Sequence, residues 1–599
     1  MPNIDGLDQV TLSAQEPQRS DGGRTVDLTS VIFASKRVLV RVWRVLTAPV
    51  RILTPSLGRA KIDRISIAPQ DLRTTDPTIA ADIYAGYFSF AGKVVSTGGG
   101  SPFDVVPPSR GWSETLMGFE WLRDIRAAET ALARTNARTL VDDWINSSNR
   151  SKHPIAWEAP VIARRLISWI DHSPIILDGA DRSFYKRFTV SITRQCARLG
   201  RLMNDPALKQ HRLIGAIALT YVAVCSEGSK RLIRRASSAL GHELKRYVLA
   251  DGGTITRNPQ DIIELLADLL PLHYSFQAQN IDAPAELINA IDRMMPMLRL
   301  FRHGDGALAL FNGMSATAPD TVATLLAYQD SRSPVIENAP LAGYRRIQAA
   351  EAVVIMDAGK PPPEAFSSRA HAGCLAFEFS YGFQRMIVNC GAPVGVHDAR
   401  RALARATAAH STATLNDTSS CHFAPPDEVR WPQGSPLMSG PKNVKVSRDE
   451  DDVSARIVAS HDGYRALFGV EHRRSLTLGK TGGWLIGEDQ FEAVNTRRAA
   501  RMPDAFALRF HLHPQIEADV SEDGQTVYLG GLETGVWTFS AGGLPLAIEE
   551  SVFFAGLDGS RRTRQIVISG NFRQTPVVRW VFVRDGELLD PLEADVLPN

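Results

Sequence analysis

Apolar residues recur every three or four positions between about Trp112 and Asp330, in stretches near 114–147, 159–176, 182–204, 207–227, 229–250, 259–271, 284–300 and 318–328. That period lays one apolar stripe along a helix. The short Pro, Gly, Asn or Asp breaks between stretches predict successive helices packed as antiparallel hairpins. No run of period two competes with them in this half. After Gly343 the texture changes to about a dozen short alternating runs, among them AVVIMDAG, CLAFEFS, RMIVNCG, FALRFHLHP and VRWVFVRD. Turns containing Gly, Asp or Asn separate them, which predicts an antiparallel β-sandwich. In CLAFEFS, Leu375, Phe377 and Phe379 alternate with Ala376, Glu378 and Ser380, so one face is expected buried and the other presented.

The ends of the pattern are less regular. Residues 1–29 are polar and expected to be disordered. From Ser30 to Ile62 the chain carries seven basic residues (Lys36, Arg37, Arg41, Arg44, Arg51, Arg59 and Lys61) and no acid, with Val38, Val42, Val45 and Leu46 at helical spacing. A basic amphipathic helix of this kind lies on an anionic membrane surface, meets an anionic glycan, or docks on the protein's own core with its arginines in water. The stretch 94–111, VVSTGGGSPFDVVPPSRG, reads as a linker. The expected organisation is a disordered terminus at 1–29, a basic segment and linker at 30–111, a helical domain at 112–335 and a sandwich at 340–599.

Composition narrows the classes. A chain of 599 residues exceeds the size at which one core keeps growing. Its 44% hydrophobic and 22% charged residues are those of a globular protein. No uncharged apolar run approaches the roughly 20 residues that cross a bilayer. The formal charge of +2 gives no global argument for nucleic acid. Five cysteines without CxxC spacing suggest neither a disulfide framework nor a zinc ribbon, and are read as small buried hydrophobes. The first 26 residues lack the basic patch, apolar core and cleavage site of an export signal.

Candidate chemistry concentrates between Ser368 and Phe423. His371 precedes one strand-like run, His410 precedes another, and Asn389-Cys390 ends the strand between them, so three strand ends could converge on one polar site. Arg369-Ala-His371-Ala-Gly373, Val388-Asn389-Cys390-Gly391 and His410-Ser411-Thr412 resemble, in spacing, the C-terminal β domain of the heparinase II/III family of polysaccharide lyases, which reads His-x-His-Ala-Asp, Val-Asp-x-Gly and His-Asn-Thr there. The stretch ADGGTITRNPQDIIELL is similar to the family's Asp-Gly-Gly-His-x-Glu-Arg-Ser-Pro-x-Tyr segment: Asp251, Gly252, Gly253, Arg257 and Pro259 hold. The family Tyr falls at Asp261 and the family His at Thr254, while Arg212 and Ala216 stand at the His and Asn of a His-x-x-x-Asn helix.

The resemblance implies an α/α toroid, an incomplete helical barrel, followed by the β-sandwich; periodicity alone equally permits an open helical array. It implies a groove between the two halves, an acidic uronate-containing polysaccharide as substrate, and a place in the cell envelope or periplasm. The missing export signal points instead to the cytoplasm. Elimination next to a uronate needs a base for the C5 proton, a group that neutralises the carboxylate, and a proton donor for the leaving O4. With the family Tyr and Asn gone, Arg369 is the expected neutralising group, and His371 or His410 the base. Arg257 and Arg212 are expected to bind carboxylate or sulfate, with Asn258, Tyr274 and Asn389 as further substrate contacts. Tyr274 replaces the lost Tyr only if the fold carries it to the groove. A protein that keeps the groove and has lost the elimination, binding glycan or serving envelope assembly, is the alternative. Two histidines and a neutral amide make a poor zinc site, so no metal or other cofactor is expected. Trp112, Trp121, Trp144, Trp157 and Trp169 are core or sugar-stacking platforms, and His511 and His513 are read as packing.

Overall fold

A computed structural model describes residues 62–587 apart from 148–152, 228–229, 329–334, 395–399, 427–433 and 532–534. The basic run at 30–62 therefore lies outside the described residues, save for Ile62. No helix among the described residues is long and apolar enough to cross a membrane.

Helices fill the first half. Ala159–Asp171 packs on Arg212–Cys225, which packs on Lys230–Tyr247; that helix and Pro259–Ala278 both meet Ala285–Leu300. Local chemistry fixes their starts. Asn258 caps Pro259–Ala278 with its side-chain oxygen on the amide of Gln260, and proline takes the first helical position, where no amide is needed. Arg212–Cys225 is apolar on all sides and is accordingly buried from Leu213 through Cys225, apart from Ile214. The helices form the α/α toroid that the resemblance implied. Trp112, Trp121, Trp144 and Trp169 lie in its core, where Trp144 and Trp169 meet edge to face at 5.4 Å.

The stretch read as a linker is packed against that core. Tyr87–Phe90 and Lys93–Ser96 pair as a hairpin, and Phe88 and Phe103 are buried with the helical core. Its Gly, Pro and Ser residues make tight turns within a folded segment, and composition does not separate that case from a spacer.

The second half is an antiparallel sandwich. One sheet runs, in spatial order, through 444–450, 454–461, 470–479, 484–493, 577–584, 537–540, 526–530 and 517–520. The other runs through 546–553, 561–571, 505–512, 384–388, 377–381, 352–357, 344–349 and 338–339, with 413–415 pairing on 505–512. Aromatic rings fill the space between the sheets: Phe377 stacks on Trp580 at 5.5 Å, and Phe510 lies 5.0 Å from Phe539.

Strand Phe377–Tyr381 is buried on both faces, against the expectation of one presented face. Phe377 and Phe379 point into the sandwich, while Glu378 and Ser380 point into the helical half. Glu378 accepts from the amides of Leu310 and Asn389 at 2.9 and 3.0 Å, and lies 3.1 Å from His303 Nε2; Ser380 Oγ is 2.8 Å from His303 Nδ1. Alternation identifies a two-sided strand, but the partner covering its polar side comes from residues some 70 positions away in the chain.

Candidate functional site

The Asp251-Gly252-Gly253 motif joins the halves. Asp251 Oδ2 accepts from the amides of Leu341 and Ala342 at 2.7 and 2.8 Å. Gly252 has φ +88°, and a Cβ there would fall 2.0 Å from the carbonyl oxygen of Arg293. Only glycine fits such a position. Arg257, also in the left-handed region at φ +61°, sends its guanidinium across the junction. It donates to the carbonyls of Ala342 and Lys360 at 2.7 and 2.9 Å and to Asp357 Oδ1 at 2.5 Å. Asn312 donates to Asp357 Oδ2 and to the Tyr344 hydroxyl, and that hydroxyl donates to the Arg257 carbonyl.

Arg257 is thus a buried tie between the halves rather than a substrate contact. Asn389 is engaged in the same way: its amide nitrogen donates to Glu378 at 3.1 Å and its oxygen accepts from the Ser411 amide at 2.9 Å. Asn258 is 1% exposed and caps its helix. Tyr274 is exposed and its hydroxyl donates to the Tyr328 carbonyl. It sits 13 residues beyond Asp261 on one helix, about 20 Å away along the axis, so the fold does not bring it to the position of the lost Tyr. Arg212 lines a separate cleft of about 750 Å³ with Arg234, Arg235 and His242.

At the junction of the two halves, Asp261 and Arg369 meet. Arg369 Nη1 is 3.5 Å from Asp261 Oδ1. The other carboxylate oxygen accepts from the hydroxyls of Tyr247 at 2.7 Å and Thr256 at 2.5 Å. Burial, with the Asp261 charge beside it, holds the Tyr247 phenol well above its ordinary value. The Tyr247 ring also touches Phe366 of the β half at 6.0 Å.

Sequence reasoning brought His371 and His410 together, and they do meet. His371 Nδ1 is 3.1 Å from His410 Nε2, and His410 Nδ1 is 2.8 Å from the Ala406 carbonyl. A carbonyl only accepts, so the proton on His410 lies on Nδ1 and its Nε2 accepts. His371 must then donate from Nδ1, which leaves a lone pair on Nε2. That atom is buried without a partner. Burial pushes His410 down to about 4; burial and then the proximity of His410 push His371 well below the usual imidazole range. Both rings are neutral near pH 7.

Tyr247, Thr256 and the arginines 401 and 405 were missed in the sequence. Arg401 and Arg405 stand four apart in RALARATAAH, a helical spacing just before His410, and that was a readable signal. Tyr247 had none, because its partner Asp261 is reached only after the chain reverses. Among the described residues no group of three or more His, Cys, Asp or Glu could hold a metal ion. His511 packs between Ser551 Oγ and the Ala408 carbonyl at 2.8 and 3.0 Å.

Residues 332–581 match the family described as Heparinase II/III-like, C-terminal. The FtsZ-localized protein C of Caulobacter vibrioides is 30% identical over 528 residues, covering 86% of this chain and 89% of that protein. Among solved structures, heparinase III superposes with a TM-score of 0.64 at 12% identity, covering 82% of this chain and 80% of its own. A heparan sulfate lyase mutant from Pedobacter heparinus gives 0.58 at 14%, covering 92% and 89%.

Proposed function

The chain belongs to the heparinase II/III-like family, and from that premise we propose that it is a glycan-binding protein of the bacterial division machinery, holding an acidic glycan in the groove between its halves without cleaving it. The observation that carries this reading is Asp261. It stands where the family resemblance places the tyrosine that moves protons, and its carboxylate is held by Tyr247, Thr256 and Arg369. Arg369, the cation expected to neutralise a uronate, is thereby paired within the protein. The family Asn is Ala216, buried in its helix. Tyr247 keeps its proton, and two imidazoles held far below neutrality are weak bases. The division setting is supported by the name of the Caulobacter relative, which associates that protein with FtsZ.

One observation favours a second reading, in which the chain is a polysaccharide lyase: His371 Nε2 is a buried base atom whose lone pair has no hydrogen-bond partner among the described residues. A single panel separates the two. Acidic polysaccharides are incubated with the protein; elimination yields an unsaturated uronate that absorbs in the ultraviolet, and affinity electrophoresis reports retention. Retention without absorbance is the expected result. Absorbance that disappears in His371→Ala establishes the lyase reading, and neither retention nor absorbance removes both.

A further inference from the structure

Helices Arg182–Leu202 and Lys230–Tyr247 both pack against Arg212–Cys225 and carry six Lys or Arg residues each, with Glu243 the one acid in the pair. In a chain of formal charge +2 this is a local excess of positive charge. The cleft of about 750 Å³ opens within it, lined by the end of the first helix, the middle of the second, and Arg212. Every lining residue belongs to the helical half, so the cleft is separate from the polar clusters at the junction. On Lys230–Tyr247, Arg235, Ser238 and His242 stand three and four positions apart on one exposed face, with Arg234 adjacent. Glu243, the acid in the lining, is held by Arg246 at 2.6 Å. Among the described residues, Arg212, Arg234 and Arg235 have no carboxylate within ion-pair distance. Arg212 Nε is buried without a hydrogen-bond partner.

Three guanidiniums lining one cleft set the chemistry of what fills it. A guanidinium meets anionic oxygens side by side, and a phosphate monoester offers three acceptor oxygens and a charge of about −1.5 to −2 near pH 7. A carboxylate or a sulfate ester brings a single charge, which leaves most of this cation excess unanswered. Met203 and Ala239 add an apolar wall, and the volume lies in the range of small-molecule sites, roughly 300–1,000 Å³. We propose that this cleft binds a small phosphate ester, its phosphate held by Arg212, Arg234 and Arg235 and its organic part lying against Met203 and Ala239. The basic helices on either side raise the local concentration of such an anion. The site is independent of the glycan reading, which concerns the junction.

Calorimetry on the full chain tests it with phenyl phosphate, phenyl sulfate, benzoate and inorganic phosphate, probes that vary the charged group and the organic part separately. Phenyl phosphate is expected to bind at least about tenfold more tightly than each of the others. Arg235→Gln and Arg212→Gln should each weaken it by about tenfold or more, and Arg235→Lys should recover only part of the loss, since lysine keeps the charge but not the paired donors. Arg235 is exposed, so an unchanged thermal midpoint in Arg235→Gln separates a lost ligand from a lost fold. Arg194→Gln removes an exposed cation of the same basic wall outside the cleft and is expected to leave binding unchanged. Any of the three control probes binding as tightly as phenyl phosphate, or full binding in Arg235→Gln, overturns the proposal. An equal loss in Arg194→Gln shows a diffuse charged surface and overturns it as well. Polysaccharide retention is expected to survive Arg235→Gln; its loss there would make the cleft part of the glycan groove and sink the separate site.

Discussion

Two polar clusters face the junction between sheet and helices, and they are built to different rules. In the first, around Arg257, Asp357, Asn312, Tyr344 and Glu378, the buried charges are answered by hydrogen-bond partners contributed from both halves. In the second, around Arg369, His371 and Arg401, buried nitrogen atoms are left without partners. Both lie in the part of the chain that resembles the family motifs, so motif position does not tell them apart. Satisfaction does: a polar group whose partners are complete holds the fold, whereas an incomplete one in an equally dry place has no hydrogen-bond partner among the described residues.

The sharpest way to break this contrast is Arg257→Ala. It strands Asp357 in a buried place and frees several carbonyls, so a loss of about 3–5 kcal/mol is expected, read as a fall in the urea midpoint. A loss below about 1 kcal/mol would mean that the first cluster is not structural and that the comparison fails.

Acid probes the second cluster and the neighbouring sandwich. Burial holds His410 at about 4 and His461 and His511 at about 3. Below the ordinary histidine value of about 6.5 the unfolded chain takes up protons that the folded chain refuses, so stability falls with pH from there down to the folded values. At pH 5 the expected loss is roughly 2 kcal/mol for each such histidine. Denaturation midpoints measured between pH 7.5 and 5 check the slope, and His410→Gln should flatten it by about one proton's worth. A flat profile in the wild type would place these rings in water.

The smallest effect is expected at Tyr274→Phe. The lost hydroxyl makes one bond at 3.3 Å at an exposed position, so stability should change by less than about 0.5 kcal/mol and glycan retention not at all. Loss of retention would show that the groove reaches the far end of that helix.

The sequence was most legible where period alone carries the information. The last helix before the sheets is Pro319–Ala327 and the sheets begin at Asn338, close to the change in texture near Gly343. The meeting of His371 and His410 was also readable, because each stands just before a strand of the β half. What could not be read was which polar residues would be claimed by the fold. Arg257 and Asn389 look like ligands in one dimension, yet their partners Asp357 and Glu378 reach them only when distant segments close on each other. Tyr274 failed for a simpler reason: helix length, which the chain states plainly, already places it about 20 Å from Asp261.

The two-sided burial of Phe377–Tyr381 has a bearing on how the protein is made. Ribosomes release the helical half first, with Leu310 and His303 synthesised well before the strand that covers them. At roughly 5–20 residues per second, the 68 residues separating Leu310 from Glu378 leave that surface uncovered for on the order of ten seconds. During that interval the Leu310 amide and the His303 ring lack the carboxylate and hydroxyl that answer them in the folded protein, so the junction closes only when the sheet arrives.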